Sequence, residues 1–180
     1  MRSFITFNEI RAMNAGKFQK SLAEAAYKRS CKGSTFLSHS SKDDEFLPSI
    51  IGILEIHGAN VYVDKKDPNL SDIPNLDAAK CLRENIAECR KFILFVTPNT
   101  KDSKWIPWEL GFADGDKRSA KVALFPSAES ENDQEWSERE YLGLYDRIIW
   151  GNFRDKESEW LVLNNRDNTA IRLREWLGAG

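Results

Sequence analysis

The chain has 180 residues, enough for one domain with a sizeable core. Hydrophobic residues make up 41 % and charged residues 30 %, the profile of a globular rather than a disordered chain. The net charge of −2 offers no cationic surplus for nucleic acid or an anionic membrane, no apolar run reaches the roughly 20 residues of a membrane helix, and Met1–Ile10 lacks the apolar stretch of a signal peptide.

Residues 1–33 read as a helical extension. Phe4, Phe7, Ile10 and Met13 recur at near-helical spacing, and Phe18, Leu22, Ala25 and Ala26 do so again, with Asn14-Ala15-Gly16 as the break between two helices. From residue 34 the pattern alternates, so 34–180 is expected to form the main domain. Ser34–Ser38 is a short strand. Ser40 and Ser41 offer a helix cap, and Phe46–His57 is an amphipathic helix closed by Gly58. Ala59–Val63 is the second strand, and a polar loop with two prolines runs from Asp64 to Pro74. A helix follows from Leu76 to Cys89, and then Phe92–Thr97, a continuous apolar strand of the kind covered on both faces. A loop and short helix span Pro98–Gly115, Val122–Phe125 is the fourth strand, and Ser127–Glu140 reads as an exposed acidic insertion. Arg147–Trp150 is the fifth strand, and a final helix is expected over Asn168–Leu177.

Five short strands alternating with helices predict an α/β domain with a parallel sheet and helices on both faces. Ligands in such folds sit beyond the carboxyl ends of the strands, where strand order reverses. Those ends are the loops after Ser38, Val63 and Thr97. No Gly-rich fingerprint follows the first strand and no Walker A lysine motif is present, so neither dinucleotide-fold nor P-loop chemistry is indicated. The three cysteines, Cys31, Cys81 and Cys89, are odd in number and lack C-x-x-C spacing. Cys81 and Cys89 would sit about 12 Å apart along a helix, beyond disulfide reach. Reduced thiols and a cytoplasmic location are expected. The acidic run 129–140 matches no calcium loop, and no metal site is expected.

Three segments together resemble one family. Phe36-Leu-Ser-His-Ser-Ser-Lys-Asp43 is similar to the first box of TIR (Toll/interleukin-1 receptor) domains. Val61-Tyr-Val-Asp-Lys-Lys-Asp67, running on to Pro74, is similar to their second strand and long following loop. Ser103-Lys-Trp-Ile-Pro-Trp-Glu-Leu110 resembles the S-x-W-x-x-x-E-L segment of the TIR enzymes. The likeness covers about residues 34–177 and departs at two places. Ile106 stands where cysteine is frequent, and the loop 64–74 lacks the usual glycine.

The resemblance implies a flavodoxin-like TIR fold and an NAD+ glycohydrolase or ADP-ribosyl cyclase of the bacterial kind, similar to the TIR component of Thoeris anti-phage defence. NAD+ would then be a substrate rather than a bound cofactor. The product would be an ADP-ribose derivative, cyclic for preference, acting on a separate effector, and TIR copies could self-associate. The implied catalytic residue is Glu109. Cleaving the nicotinamide–ribose bond needs little acid catalysis, because the pyridinium is a cationic leaving group. A carboxylate beside the ribose can stabilise the oxocarbenium-like centre, as in glycosidases. Trp105, four residues earlier, and Trp108 could stack on a flat base. Ser38 and Ser40 could meet ribose or phosphate, Asp64 a ribose hydroxyl, and Lys65 the pyrophosphate. Bland readings stand beside each: a surface glutamate with core tryptophans, a helix cap at Ser40, a solvated charge run at 64–67, a structural polar contact at His39. Two other functions share the frame. One is a non-enzymatic adaptor working by TIR–TIR contacts, which generally lacks this glutamate. The other is a deoxyribosyltransferase-like nucleoside hydrolase.

Overall fold

The structure, a computed structural model, describes residues 4–13, 20–64, 76–103, 105–117, 119–130, 140–153, 157–164 and 166–179. The chain opens with a two-residue strand, β1 (Ile5–Thr6), followed by α1 (Phe7–Met13) and α2 (Lys20–Lys28). The helical periodicity of this region is therefore interrupted at its start. Ile5 and Thr6 pair in parallel with Ser127 and Ala128, a tertiary contact that overrides local preference. The expected break at Asn14-Ala15-Gly16 lies outside the described residues.

Strand β2 (Thr35–Ser38) leads through a 3-10 turn (Ser41–Phe46) into α3 (Leu47–Ile56). Gly58 then stops the helix with φ of +98°, a conformation that a Cβ would strain. Next come β3 (Val61–Tyr62), α4 (Leu76–Glu88), β4 (Lys91–Val96), α5 (Ile106–Lys117) and β5 (Val122–Ala128). The chain ends with β6 (Asp146–Gly151), β7 (Glu159–Asn164), β8 (Thr169–Arg172) and α6 (Leu173–Gly178).

The sheet runs β3-β2-β4-β5-β6-β7-β8, with β1 on the end of β5. Its five-strand parallel part, β3-β2-β4-β5-β6, is the expected flavodoxin-like order. The sheet is larger than expected because β7 and β8 extend it antiparallel and β1 adds a short parallel pairing. Two further expectations are corrected. The final helix begins only at Leu173, because Thr169–Arg172 pairs with Leu161–Asn164 as an edge strand. Its exposed, polar residues gave no apolar alternation to read. The acidic insertion also begins later: Ser127 and Ala128 are buried under β1, while residues 131–139 lie outside the described set.

Alternation along the central strands sorts the core onto two faces. Leu37, Ile93, Phe95 and Phe125 point toward α1, α3 and α6, meeting Ile10, Ile50, Leu54 and Trp176. Phe36, Phe92, Leu94 and Leu124 point the other way, toward Leu82 and Ile86 of α4 and Leu110 and Ala113 of α5. Helices therefore cover both faces. Residues of the N-terminal extension, Ile5, Phe7, Ile10 and Ala26, belong to the same apolar cluster as β2 and β4.

Candidate active site

Strand order reverses between β2 and β4, so the loops leaving their carboxyl ends diverge and open a crevice there. A single buried carboxylate clamps these loops together. Asp43, fully buried in the turn after β2, accepts from the Thr97 hydroxyl at 2.7 Å and from Asn99 Nδ2 at 2.6 Å. Thr97 and Thr100 form a reciprocal capping box just after β4, which fixes the donors. The last residue of the first box, Asp43, is thus a tie between two loops.

Glu109 comes from the first turn of α5. Ser103 caps that helix through Ile106 N at 3.2 Å, and the Trp105 carbonyl accepts from Glu109 N at 2.8 Å. Ile106, Leu110 and Ala113 seat one face of the helix in the core. At its far end the buried Lys117 ammonium donates to the Cys89 carbonyl at 2.5 Å. This anchoring leaves Glu109 only 2 % exposed, at the wall of the crevice. The Ser38 hydroxyl, at the last residue of β2, donates to Glu109 Oε2. Oε1 has no hydrogen bond among the described residues.

The crevice encloses about 1140 Å³, large for a ligand site and sized for a dinucleotide rather than a fragment. Glu109, Trp105, Ser40 and Asp64 line it. Ser40 also caps the turn after β2, its hydroxyl accepting from Lys42 N at 3.4 Å, so the cap and a ligand-facing position coincide. Asp64 is oriented by Tyr62 Oη at 2.8 Å and Asn85 Nδ2 at 3.0 Å. Ser38 does not line the crevice; its hydroxyl is spent on Glu109. Trp108 is not among the lining residues either. It is 37 % exposed, edge-on to Trp105 at 5.6 Å and stacked on Phe112 at 6.1 Å. Lys65 lies outside the described residues. His39 is buried and its Nε2 meets Asp44 Oδ1 at 3.0 Å, a structural contact at the crevice wall.

One wall went unforeseen. Glu24, Tyr27 and Lys28 of α2 line the crevice. Burial, then the charge of Asp44, pushes the Tyr27 phenol up to about 12, so it stays protonated at neutral pH. Only their i, i+3, i+4 spacing marked them as one helix face.

With the geometry in view, the comparisons with known proteins agree on one family. Residues 35–162 match the TIR domain family. The chain belongs to the TIR-domain family. A protein of Bacillus cereus strain MSX-D12, named "Probable 3' cyclic ADP-D-ribose synthase ThsB'", is 32 % identical over 163 residues, spanning 88 % of this chain and 83 % of the relative. The TIR match starts at β2, so α1 and α2 fall outside it. No helix is long and apolar enough to cross a membrane among the described residues.

Proposed function

We propose that this TIR domain cleaves NAD+ at the nicotinamide–ribose bond and closes the remaining ADP-ribose into a cyclic product. The observation that carries the reading is Glu109, buried at the base of the crevice and oriented by the Ser38 hydroxyl. The name of the Bacillus cereus relative supports the cyclic outcome and points to ring closure at a 3′ position.

In the reaction the C1–N bond to nicotinamide breaks and its electron pair leaves on neutral nicotinamide. The developing positive charge on the ribose is met by the buried Glu109 carboxylate, and burial makes such an interaction stronger than in water. A hydroxyl of the adenosine ribose then bonds to that carbon, and its proton passes to Glu109. Ser38 holds the carboxylate in place. Trp105 offers a ring face along the crevice, and Asp64, held by Tyr62 and Asn85, is an acceptor for a ribose hydroxyl. NAD+ is substrate in this scheme and no metal or bound cofactor takes part. The reading extends to a cytoplasmic enzyme of anti-phage defence, whose diffusible product acts on a separate effector and whose copies associate through their TIR surfaces.

The test is purified protein incubated with labelled NAD+, with products identified by mass spectrometry. Nicotinamide and a cyclic ADP-ribose are expected. Glu109→Gln should lower turnover at least about 100-fold, the scale for losing a charge-stabilising group, with the fold intact by circular dichroism. Turnover retained in Glu109→Gln refutes the assignment, and glycosidic cleavage of deoxynucleosides in place of NAD+ refutes the substrate.

A further inference from the structure

Resting on that reading, we infer that α2 completes the substrate site and that Lys28 binds the pyrophosphate of NAD+. The argument starts from charge. The described residues lining the crevice include five carboxylates (Glu24, Asp44, Asp64, Asp102 and Glu109) against two lysines, Lys28 and Lys42. With histidine neutral that is a balance of −3. A cavity of this sign favours the cationic nicotinamide ring and repels a pyrophosphate carrying two negative charges. Binding the whole dinucleotide therefore requires a cation placed locally. Lys42 is engaged by Asp102 at 3.1 Å. Lys28 has no ion pair among the described residues, which leaves it available to an anion; Lys65, the sequence's own candidate for the pyrophosphate, lies outside the described residues.

The position of α2 is built, not incidental. Ala23 and Ala26 are buried against the core, while Glu24, Tyr27 and Lys28 face the crevice. Just past the helix, Arg29 Nη1 donates to the Val61 carbonyl at 2.9 Å and pairs with Glu55, and the Ala26 carbonyl accepts from Val63 N at 3.4 Å. These bonds fasten the end of α2 to β3. Lys28, at the end of α2, and Glu109, in the first turn of α5, line the same crevice from different helices, beyond the carboxyl ends of β2 and β4. The pyrophosphate of NAD+ is separated from the glycosidic carbon by one ribose, so an anchor for it belongs on the same crevice at a different point from Glu109, as Lys28 is. The Tyr27 hydroxyl beside Lys28 supplies a further donor.

The experiment measures binding without needing turnover. ADP-ribose and uncharged adenosine are titrated calorimetrically into the full-length wild type, Lys28→Ala and Lys28→Arg. Losing one charge-assisted contact at an exposed side chain should weaken ADP-ribose binding about tenfold, leave adenosine unchanged, and be largely restored by arginine. Lys28→Ala should likewise raise KM for NAD+ with kcat within about twofold, since the contact is equal in ground and transition states. Equal ADP-ribose affinity in wild type and Lys28→Ala overturns the inference. So does an equal loss on adenosine, which would mark a structural role, or a wild type that fails to bind ADP-ribose. A wild type that leaves NAD+ intact yet keeps the Lys28-dependent preference for ADP-ribose would sink the proposed reaction and retain this subsite.

Discussion

Removing the Asp43 carboxylate should loosen the crevice and lower stability together. Asp43 is fully buried, and it accepts from Thr97 Oγ1 at 2.7 Å and Asn99 Nδ2 at 2.6 Å. Hydrogen bonds to a charged group contribute about 1.5–3 kcal/mol each. In Asp43→Ala both disappear, and the buried Thr97 hydroxyl keeps a proton without an acceptor. The summed loss is about 3–6 kcal/mol, a large part of a typical domain's stability. For a domain of this length each kcal/mol shifts Tm by about 2–4 °C, so Tm should fall by about 10 °C. Asp43→Asn keeps one acceptor and the volume, and should lose about half as much. Asp44, the next residue, is the internal control. Its side chain is 60 % exposed and meets only His39 among the described contacts, so Asp44→Ala should change stability by less than about 1 kcal/mol. Urea and thermal unfolding of the three variants read the stability. The KM for NAD+ reads the crevice, since Asn99 is both a clamp donor and a lining residue. An Asp43→Ala protein with Tm within about 2 °C of wild type, or no further from it than Asp44→Ala, would refute the clamp.

The remaining predictions test the fold and its titration. Ile10→Ala should cost about 2–5 kcal/mol in urea unfolding, because Ile10 is fully buried in the main core; a neutral effect would make the N-terminal extension a separate appendage. Lys91 is buried over the Trp176 ring at 4.5 Å, and burial, then the charges of Arg90 and Lys121, lower its ammonium from 10.5 to about 8. The unfolded chain therefore binds the extra proton between about pH 8 and 10.5, so this group makes stability rise with pH across that window. Cys89 and Tyr27, both raised to about 12, act in the opposite sense above their ordinary values, but equally in wild type and variant. The Tm of Lys91→Met relative to wild type should thus be highest below pH 8 and decline toward pH 10.5, and a constant difference would contradict the assignment. Glu109→Gln should unfold at the same temperature as wild type or higher, since a buried carboxylate with one donor among the described residues is held at a cost. A Tm several degrees lower would make the glutamate structural.

What the sequence disclosed, it disclosed where burial and chain order act locally. The apolar runs of β2, β4 and β5 are buried at every residue, so their strand character needed no partner to be visible. Gly58 and the Ser40 cap follow from single-residue preferences. The W-x-x-x-E segment singled out Glu109 as a candidate, and Ser103, Ile106 and Leu110, which seat its helix, lie within a few positions of it. The missed features all depend on contacts remote in sequence. Asp43 has the position of a first-turn aspartate favoured by the helix dipole, and its partner Thr97 is 54 residues away. Ser38 looked like a ligand for ribose, yet its hydroxyl is committed to a glutamate 71 residues on. Strand β8 is a short, mostly exposed edge of four residues that pairs because β7 is beside it. In α2, Glu24, Tyr27 and Lys28 have the composition of a solvated helix face, and only the bonds of Arg29 and Ala26 to β3 turn that face into a wall.

The burial of Glu109 bears on product choice in the proposed reaction. Once the C1–N bond is broken, water and the adenosine-ribose hydroxyl compete for the same carbon. An intramolecular hydroxyl held in place can act with an effective molarity far above that of any free nucleophile, but only if the folded-back conformer is enforced. A glutamate exposed at a rim would give water equal access. Here the carboxylate is 2 % exposed, its orientation is set by Ser38, and it lines the crevice that the dinucleotide itself would fill. A cation on α2 that holds the pyrophosphate would fix the hinge of the substrate between its two riboses. Cyclisation then follows from the same features that bind NAD+: a buried charge at one end, a phosphate anchor on α2, and a bend in the dinucleotide between them.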